Sequence, residues 1–218
     1  MRGVSDLRDG NDATRGGTSG SDAAEGASGS DSDDAGTAVG QSNARHDRIT
    51  STPTPGPRNS LQHWTEVRNP LRMMVNFLVI LVVRYSPSLR LKSWLLRRLG
   101  ADVGSGVSLA LAATPDVFWP ELITIEDDAI VGYDVTILCH EFLQDEYRTG
   151  EVVVGERVMI GAGATILPGV EIGADARVAA NSLVASDVPP GTTVAGVPAS
   201  PVEDADEDGD GKEAPPDR

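Results

Sequence analysis

Three histidines, one cysteine and a wider set of carboxylates are the groups of this chain that could move protons, attack a carbonyl or hold a metal near neutral pH. His140 is the only histidine between residues 101 and 200. An imidazole, with an ordinary pKa near 6.5, can take the proton of a hydroxyl as that hydroxyl attacks an electrophile. His140 is followed directly by Glu141 and preceded by Cys139. In extended chain such neighbours point opposite ways. A Cys139–His140 nucleophilic pair is therefore disfavoured, and Cys139 reads as a small buried apolar residue. By the same geometry Glu141 should not orient His140 of its own chain, though a contact across a subunit boundary stays open. Asp134 and Glu126 are candidates for holding the imidazole or a substrate hydroxyl. Tyr147 and Phe142 are candidates for walling a substrate pocket. His46 and His63 receive no chemical role.

What must position these groups is a repeat. Val154, Ile160, Ile166, Ile172, Val178 and Val184 stand six apart, and each is β-branched. Four places after each stands Val158, Ala164, Val170, Ala176, Ser182 or Val188. The same phase recurs at Ile125, Val131 and Ile137, with Ala129 and Val135 four places on. A helix repeats every 3.6 residues and a plain strand every 2, so neither yields a strict six. A short fixed repeat implies a solenoid in which each unit buries its face only by stacking on the next. The expected fold is mainly β: a parallel β-helix of hexapeptide sides over 101–200, preceded by short helices, with disordered termini. The phase breaks twice, over 110–122 and over 138–150. Solenoids eject insertions as loops on one face, often the functional one. His140 lies where the second loop leaves the coil.

The charge is sorted along the chain. Its net value is −15. Residues 61–100 carry seven basic groups and one acidic, whereas 101–200 carry three and fifteen. So acidic a surface would repel the phosphates of nucleic acid, and no nucleic-acid partner is expected. Lysine occurs only at 92 and 212. The acidic, lysine-poor balance points to a high-salt, halophilic cytoplasm. A single cysteine and the absence of a leading apolar run fit a cytoplasmic location.

Residues 1–59, rich in Gly, Ser, Asp, Ala and Thr, read as a disordered low-complexity tail, and 201–218 as a disordered acidic tail. Residues 60–100 form a basic, apolar helical segment. Ser60 is expected to cap a helix through Arg68, Asn69-Pro70 to open a second, Ser86-Pro87 a third, and Gly100 to end it. The apolar run 73–83 would rise about 16 Å, too little for a bilayer core of about 30 Å. The third helix sets Leu91, Trp94, Leu95 and Leu99 on one face. Two roles stay open for this block: a cap on the first coil, or a peripheral membrane contact.

The run VGERVMIGAGATILPGVEIGADARVAANSLVASDVPPGTTVAGVPAS resembles the C-terminal half of hexapeptide-repeat acyltransferases of the maltose/galactoside O-acetyltransferase and xenobiotic acetyltransferase type. The resemblance covers about residues 101–200. It implies a left-handed parallel β-helix that works as a homotrimer, with acetyl-CoA as donor and a hydroxyl of a sugar or similar alcohol as acceptor. It implies that His140 is the general base. Ala162 and Ala180 match the small turn residues whose backbone receives the pantetheine arm. Ala185-Ser186 stand where relatives usually carry Thr-Lys, and Ser200 and Glu203 where they usually carry cations. Arg157 and Arg177 are the replacements within reach of sequence reasoning. Between Asn76 and Asn181 there is no asparagine to hold a sugar, so Asp116 or Asp134 would accept that hydrogen bond. Carbonic anhydrases of this fold hold zinc by three histidines shared between two chains. One histidine per chain in the repeat cannot supply three, so no metal is expected. A non-catalytic trimeric scaffold is the alternative to an enzyme.

Overall fold

Every β-branched residue of the six-residue repeat, from Ile125 to Val184, is buried in the computed structural model, which describes residues 45–202. The residues four places on, Ala129 to Val188, are buried too. Strands of two to four residues carry the repeat. They stack in parallel into three faces. The first holds Asp102–Val103, Ile123–Ile125, Val152–Val154 and Glu171–Ile172. The second holds Ser108–Leu109, Ile130–Val131, Met159–Ile160, Arg177–Val178 and Thr193–Gly196, and is closed by antiparallel Ala199–Pro201. The third holds Thr136–Ile137, Thr165–Ile166 and Leu183–Val184.

The register measures each turn. Ile160 pairs with Val178, eighteen residues on, which is three sides of six. Val131 pairs with Ile160, twenty-nine on, so that turn carries eleven extra residues. Leu109 pairs with Val131, twenty-two on, so the first turn carries four. These are the two expected breaks. Corners are tight because coils stack backbone on backbone. A Cβ on Gly161 would lie 2.5 Å from the Ala180 nitrogen one coil away.

The second insertion is a hairpin. His140–Phe142 pairs antiparallel with Glu146–Gly150. A third strand, Ile49–Pro53, lies on the outer edge of that hairpin, with Ile49 opposite Gly150 and Pro53 opposite Glu146. The expected disordered tail of 1–59 is corrected here for its last part: residues 49–53 are strand. The hairpin edge supplies the backbone partners that this short polar segment lacks by itself. Expectations for residues 1–44 and 203–218 lie outside the described residues, while Pro201 belongs to the closing strand.

Three helical elements follow. A 3₁₀ turn, Ser60–His63, runs into α1 (Trp64–Val67). Asn59, not Ser60, is the cap, accepting from the Gln62 N–H; Ser60 is buried, and its hydroxyl donates to the Leu143 carbonyl. Helix α2 spans Pro70–Tyr85, with Asn69 accepting from the N–H groups of Leu71 and Arg72, as expected. Helix α3 spans Leu89–Leu99 and ends on Gly100 at φ 105°. Its cap is Ser88 rather than Ser86, whose hydroxyl instead accepts from the Ser88 N–H. The buried face of α3 is Lys92, Ser93, Leu96 and Leu99, whereas Leu91 and Trp94 of the expected face point outward.

The inner sides of α2 and α3 cap the solenoid. Ile80, Val83, Leu96 and Leu99 join one apolar cluster with Val103, Leu109 and the coils beyond. Lys92 is 1% exposed, and its ammonium donates to the carbonyls of Leu109 (3.1 Å) and Ala110 (2.8 Å) on the open first coil. Burial lowers its pKa from the usual lysine value. Arg97 donates to the carbonyls of Val103 and Gly104. Carbonyls that would otherwise end the stack unpaired are thus satisfied.

Candidate active site

The two interruptions of the repeat meet. Thr114 bridges Thr136 in the next coil, and the Ile137 N–H donates to the Thr114 carbonyl. Two residues further along, Asp116 therefore stands beside the strand exit that leads to His140. The His140 Nδ1 lies 2.5 Å from Asp116 Oδ2. Asp116 is 2% exposed and fully engaged. Its Oδ1 accepts from the N–H groups of Phe118 (2.7 Å) and Trp119 (2.9 Å), and its Oδ2 also accepts from the Cys139 N–H (2.7 Å).

Burial alone would raise the Asp116 carboxyl. The hydrogen bond and charge of His140, with the N–H groups of Trp119 and Cys139, outweigh it and hold the group below the usual carboxylate range. An ionised carboxylate only accepts, so Nδ1 must carry a proton, and whenever the ring is neutral its lone pair lies on Nε2. A depressed carboxylate adds stability that is fully present above its unfolded pKa and is lost as pH falls through the lower folded value. Urea midpoints of the parent should therefore hold steady down to the ordinary aspartate range. Those of Asp116→Asn, measured across the same pH series, should lack the further acid-side fall due to this pair.

Around the imidazole stand aromatic rings. Phe118, Trp119 and Phe142 have centroids 4.8, 5.1 and 5.0 Å from the His140 ring. Tyr147, opposite Phe142 in the hairpin, stacks on Trp119 at 6.0 Å. The Arg68 guanidinium lies over the Trp119 ring at 4.8 Å and pairs with Glu121. The His140 side chain is 15% exposed, and the rings packed around it are apolar.

The expected site residues divide. His140, Asp116, Phe142 and Tyr147 come together, with Asp116 as the partner of the imidazole rather than of a substrate. Asp134 does not hold the imidazole: it occupies an exposed corner at φ 55°, with Arg84 at 4.0 Å. Glu126 instead accepts from the Glu156 N–H in the next coil. Glu141 points away from His140, as alternation requires, and pairs with Arg45 at 3.2 Å. Cys139 is buried, and desolvation followed by the nearby Asp116 charge drives its thiol far above the usual range. Ala162 and Ala180 are exposed on one corner, where the Asn181 N–H donates to the Ala162 carbonyl. Ala185-Ser186 follow the Leu183–Val184 strand, at the corner from which the His140 hairpin leaves two coils earlier. Arg157 is engaged by Asp175 and Glu156, and Arg177 lies exposed on the second face. Among the described residues no group of three or more His, Cys, Asp or Glu could hold a metal ion.

Sequence reasoning missed Arg45 and Arg48. Arg45 is 8% exposed and donates through Nε to the Pro168 carbonyl (2.7 Å) while pairing with Glu141. Arg48 donates to the Gly169 carbonyl and pairs with Asp187. The available signal was the run Ile49-Thr50-Ser51-Thr52, three of whose four residues are β-branched, a strand pattern inside a low-complexity stretch. Arg45→Met is expected to cost about 1–3 kcal/mol by leaving a carbonyl and a carboxylate under-satisfied. A lowered urea midpoint would show it, and an unchanged one would remove Arg45 from the account.

Comparison with known proteins agrees with this geometry. Residues 151–186 match the family model described as bacterial transferase hexapeptide (six repeats). The chain is 48% identical over 141 residues to the Bacillus subtilis (strain 168) protein named "Putative acetyltransferase YvoF", covering 64% of this chain and 82% of that one. A similarly named Staphylococcus aureus (strain MRSA252) protein is 39% identical over 132 residues, covering 60% and 82%. The solved hexapeptide-repeat-containing acetyltransferase VCA0836 of Vibrio cholerae O1 biovar eltor, complexed with acetyl coenzyme A, is similar in fold. It shows a TM-score of 0.53 and 24% identity over 61% of this chain and 86% of that one. The chain belongs to the hexapeptide-repeat acyltransferase family, folded as a left-handed parallel β-helix.

Proposed function

We propose that this chain is an acetyl-CoA-dependent O-acetyltransferase that acts on a hydroxyl of a sugar or similar small alcohol. The observation that carries the reading is the buried Asp116 carboxylate holding His140 Nδ1, with aromatic rings packed around the imidazole. Nε2 takes the acceptor's hydroxyl proton as that oxygen attacks the thioester carbonyl. The tetrahedral centre then collapses, the carbon–sulfur bond breaks, and His140 returns the proton to the CoA sulfur. The products are an acetyl ester and CoA thiol. Asp116 stabilises the imidazolium that forms in between. Phe118, Trp119, Phe142 and Tyr147 offer flat apolar walls to an acceptor ring.

The donor would lie along the corner of Ala162 and Ala180, near enough to their backbone because neither carries a large side chain. Ala185 and Ser186 would meet its far end without a cation. The acidic surface fits a halophilic, cytoplasmic setting in which dissolved cations lessen repulsion of CoA phosphates. Assembly into a homotrimer is supported by the second face, where Ile130 and Met159 stand side by side, 46% and 48% exposed. The missing cations at 185–186 are what favour the second reading, a trimeric scaffold without turnover.

The test is product analysis after incubation with acetyl-CoA and a panel of sugars, alcohols and amines in molar salt. The reading predicts a hydroxylamine-labile acetyl ester. A stable amide would transfer the activity to amine acceptors, and no binding of acetyl-CoA would favour the scaffold.

A further inference from the structure

Helix α2 is apolar on two opposite sides. Its inner side, including Ile80 and Val83, is buried in the cap. Its outer side carries Leu71, Met74, Val75, Leu78, Val82 and Tyr85, each between 48% and 75% exposed. Those positions recur at helical spacing and form one continuous stripe. A helix at the surface of a water-soluble fold needs one apolar stripe. A second calls for a second apolar environment. Sixteen residues rise about 24 Å, short of a bilayer core of about 30 Å. Among the described residues no helix is long and apolar enough to cross a membrane.

We propose that the outer stripe of α2, flanked by the exposed side of α3, docks on the surface of an anionic lipid bilayer, with α2 lying in the interface plane. Charge selects this partner. Residues 61–100 carry a net +6 in a chain of net −15, and with Lys92 buried and Arg68 paired with Glu121 the outward cations of the helices include Arg72, Arg84, Arg90 and Arg98. Arg72, exposed and 3.7 Å from Glu121, follows Leu71 on α2, and Arg90 and Arg98 stand exposed on α3. Two guanidinium groups sit on exposed aromatic rings beside it: Arg84 on Tyr85 at 5.5 Å and Arg98 on Trp94 at 5.1 Å. Aromatic rings and arginines favour the headgroup level, where the ring stays half dry and the cation meets phosphate. A second copy meeting this face with its own would set arginine against arginine.

The stripe also reaches towards the active site. Met74 and Phe77 of α2 wall an apolar cavity of about 340 Å³ together with Trp64 and Phe118, and the Phe118 ring touches that of His140. On the proposed function, docking would hold the acceptor pocket close to the bilayer surface. The docking itself does not depend on that activity.

Salt separates the two contributions. At about 1 M salt the screening length is ~3 Å, so distant charge attraction fades and the apolar stripe must carry binding. The full chain is mixed with vesicles of phosphatidylcholine alone or phosphatidylcholine with phosphatidylglycerol, at low and molar salt, and floated. The parent should float with the anionic vesicles, most at low salt and still detectably at molar salt. Leu78→Glu/Val82→Glu should lower partition about tenfold or more. Leu71→Glu serves as the second variant should the double one unfold. Thermal midpoint and light-scattering mass of the variants should match the parent. A parent that does not float overturns the proposal. So does a variant whose mass changes, since a second copy of the chain would then cover the stripe.

Discussion

Asp116→Asn is expected to lower kcat by about 10²–10⁴-fold while the fold survives. The four groups around Asp116 decide this. The N–H groups of Phe118 and Trp119 converge on one oxygen, and Cys139 N–H and His140 Nδ1 converge on the other. An asparagine has one acceptor. Keeping Phe118 and Trp119 satisfied turns its NH₂ towards the Cys139 N–H and the imidazole. The first contact is donor against donor. The second requires Nδ1 to accept, which moves the ring proton to Nε2 and removes the lone pair that would take the acceptor's proton. The lost buried hydrogen bonds should also cost about 1–3 kcal/mol. Steady-state kinetics with varied acetyl-CoA checks the split: kcat falls, and KM for acetyl-CoA stays within a few-fold. Equal loss in Asp116→Asn and in an unfolded control would make Asp116 merely structural.

Ile166→Ala is expected to destabilise the protein by about 2–5 kcal/mol. Ile166 is 0% exposed and stands on the third face between Ile137 and Val184. Its side chain fills the axis of the solenoid, where neighbouring coils are locked by backbone pairing and cannot collapse into the gap. The cavity term therefore adds to the lost transfer energy. Because each coil rests only on its neighbours, a weak middle coil uncouples those on either side. Urea unfolding should show a lower midpoint and a broader transition. A midpoint within error of the parent would mean the stack tolerates an empty layer.

The fold was legible because a solenoid repeats its own solution. Each side needs a β-branched residue inward and a small one at the corner, so the period of six is the structure written along the chain. The two interruptions were legible as losses of that phase. His140 stood out because no other histidine shares the repeat region. Its partner did not. Asp116 lies twenty-four residues away, and only the bridge of Thr114 to Thr136 brings it beside the hairpin. Asp134 and Glu126 were nearer in the chain and were the candidates on paper. Strand Ile49–Pro53 was hidden for a related reason. Its hydrogen-bonding partner is a hairpin nearly a hundred residues later, and its own composition reads as tail. The helices showed the limit of periodicity: α2 is apolar on two opposite sides, and the stripe assigned to α3 was rotated because Lys92 goes inward to pair with coil carbonyls.

The measurement that bears most directly on the account is CoA thiol release from acetyl-CoA in molar salt, with and without a hydroxyl acceptor, for the parent and His140→Ala. The account predicts acceptor-dependent release by the parent and a loss of about 10²–10⁴-fold in kcat for the variant, with acetyl-CoA binding and oligomer mass unchanged. Equal acceptor-dependent release by both proteins would contradict it, because no proton would then pass through the imidazole that Asp116 holds.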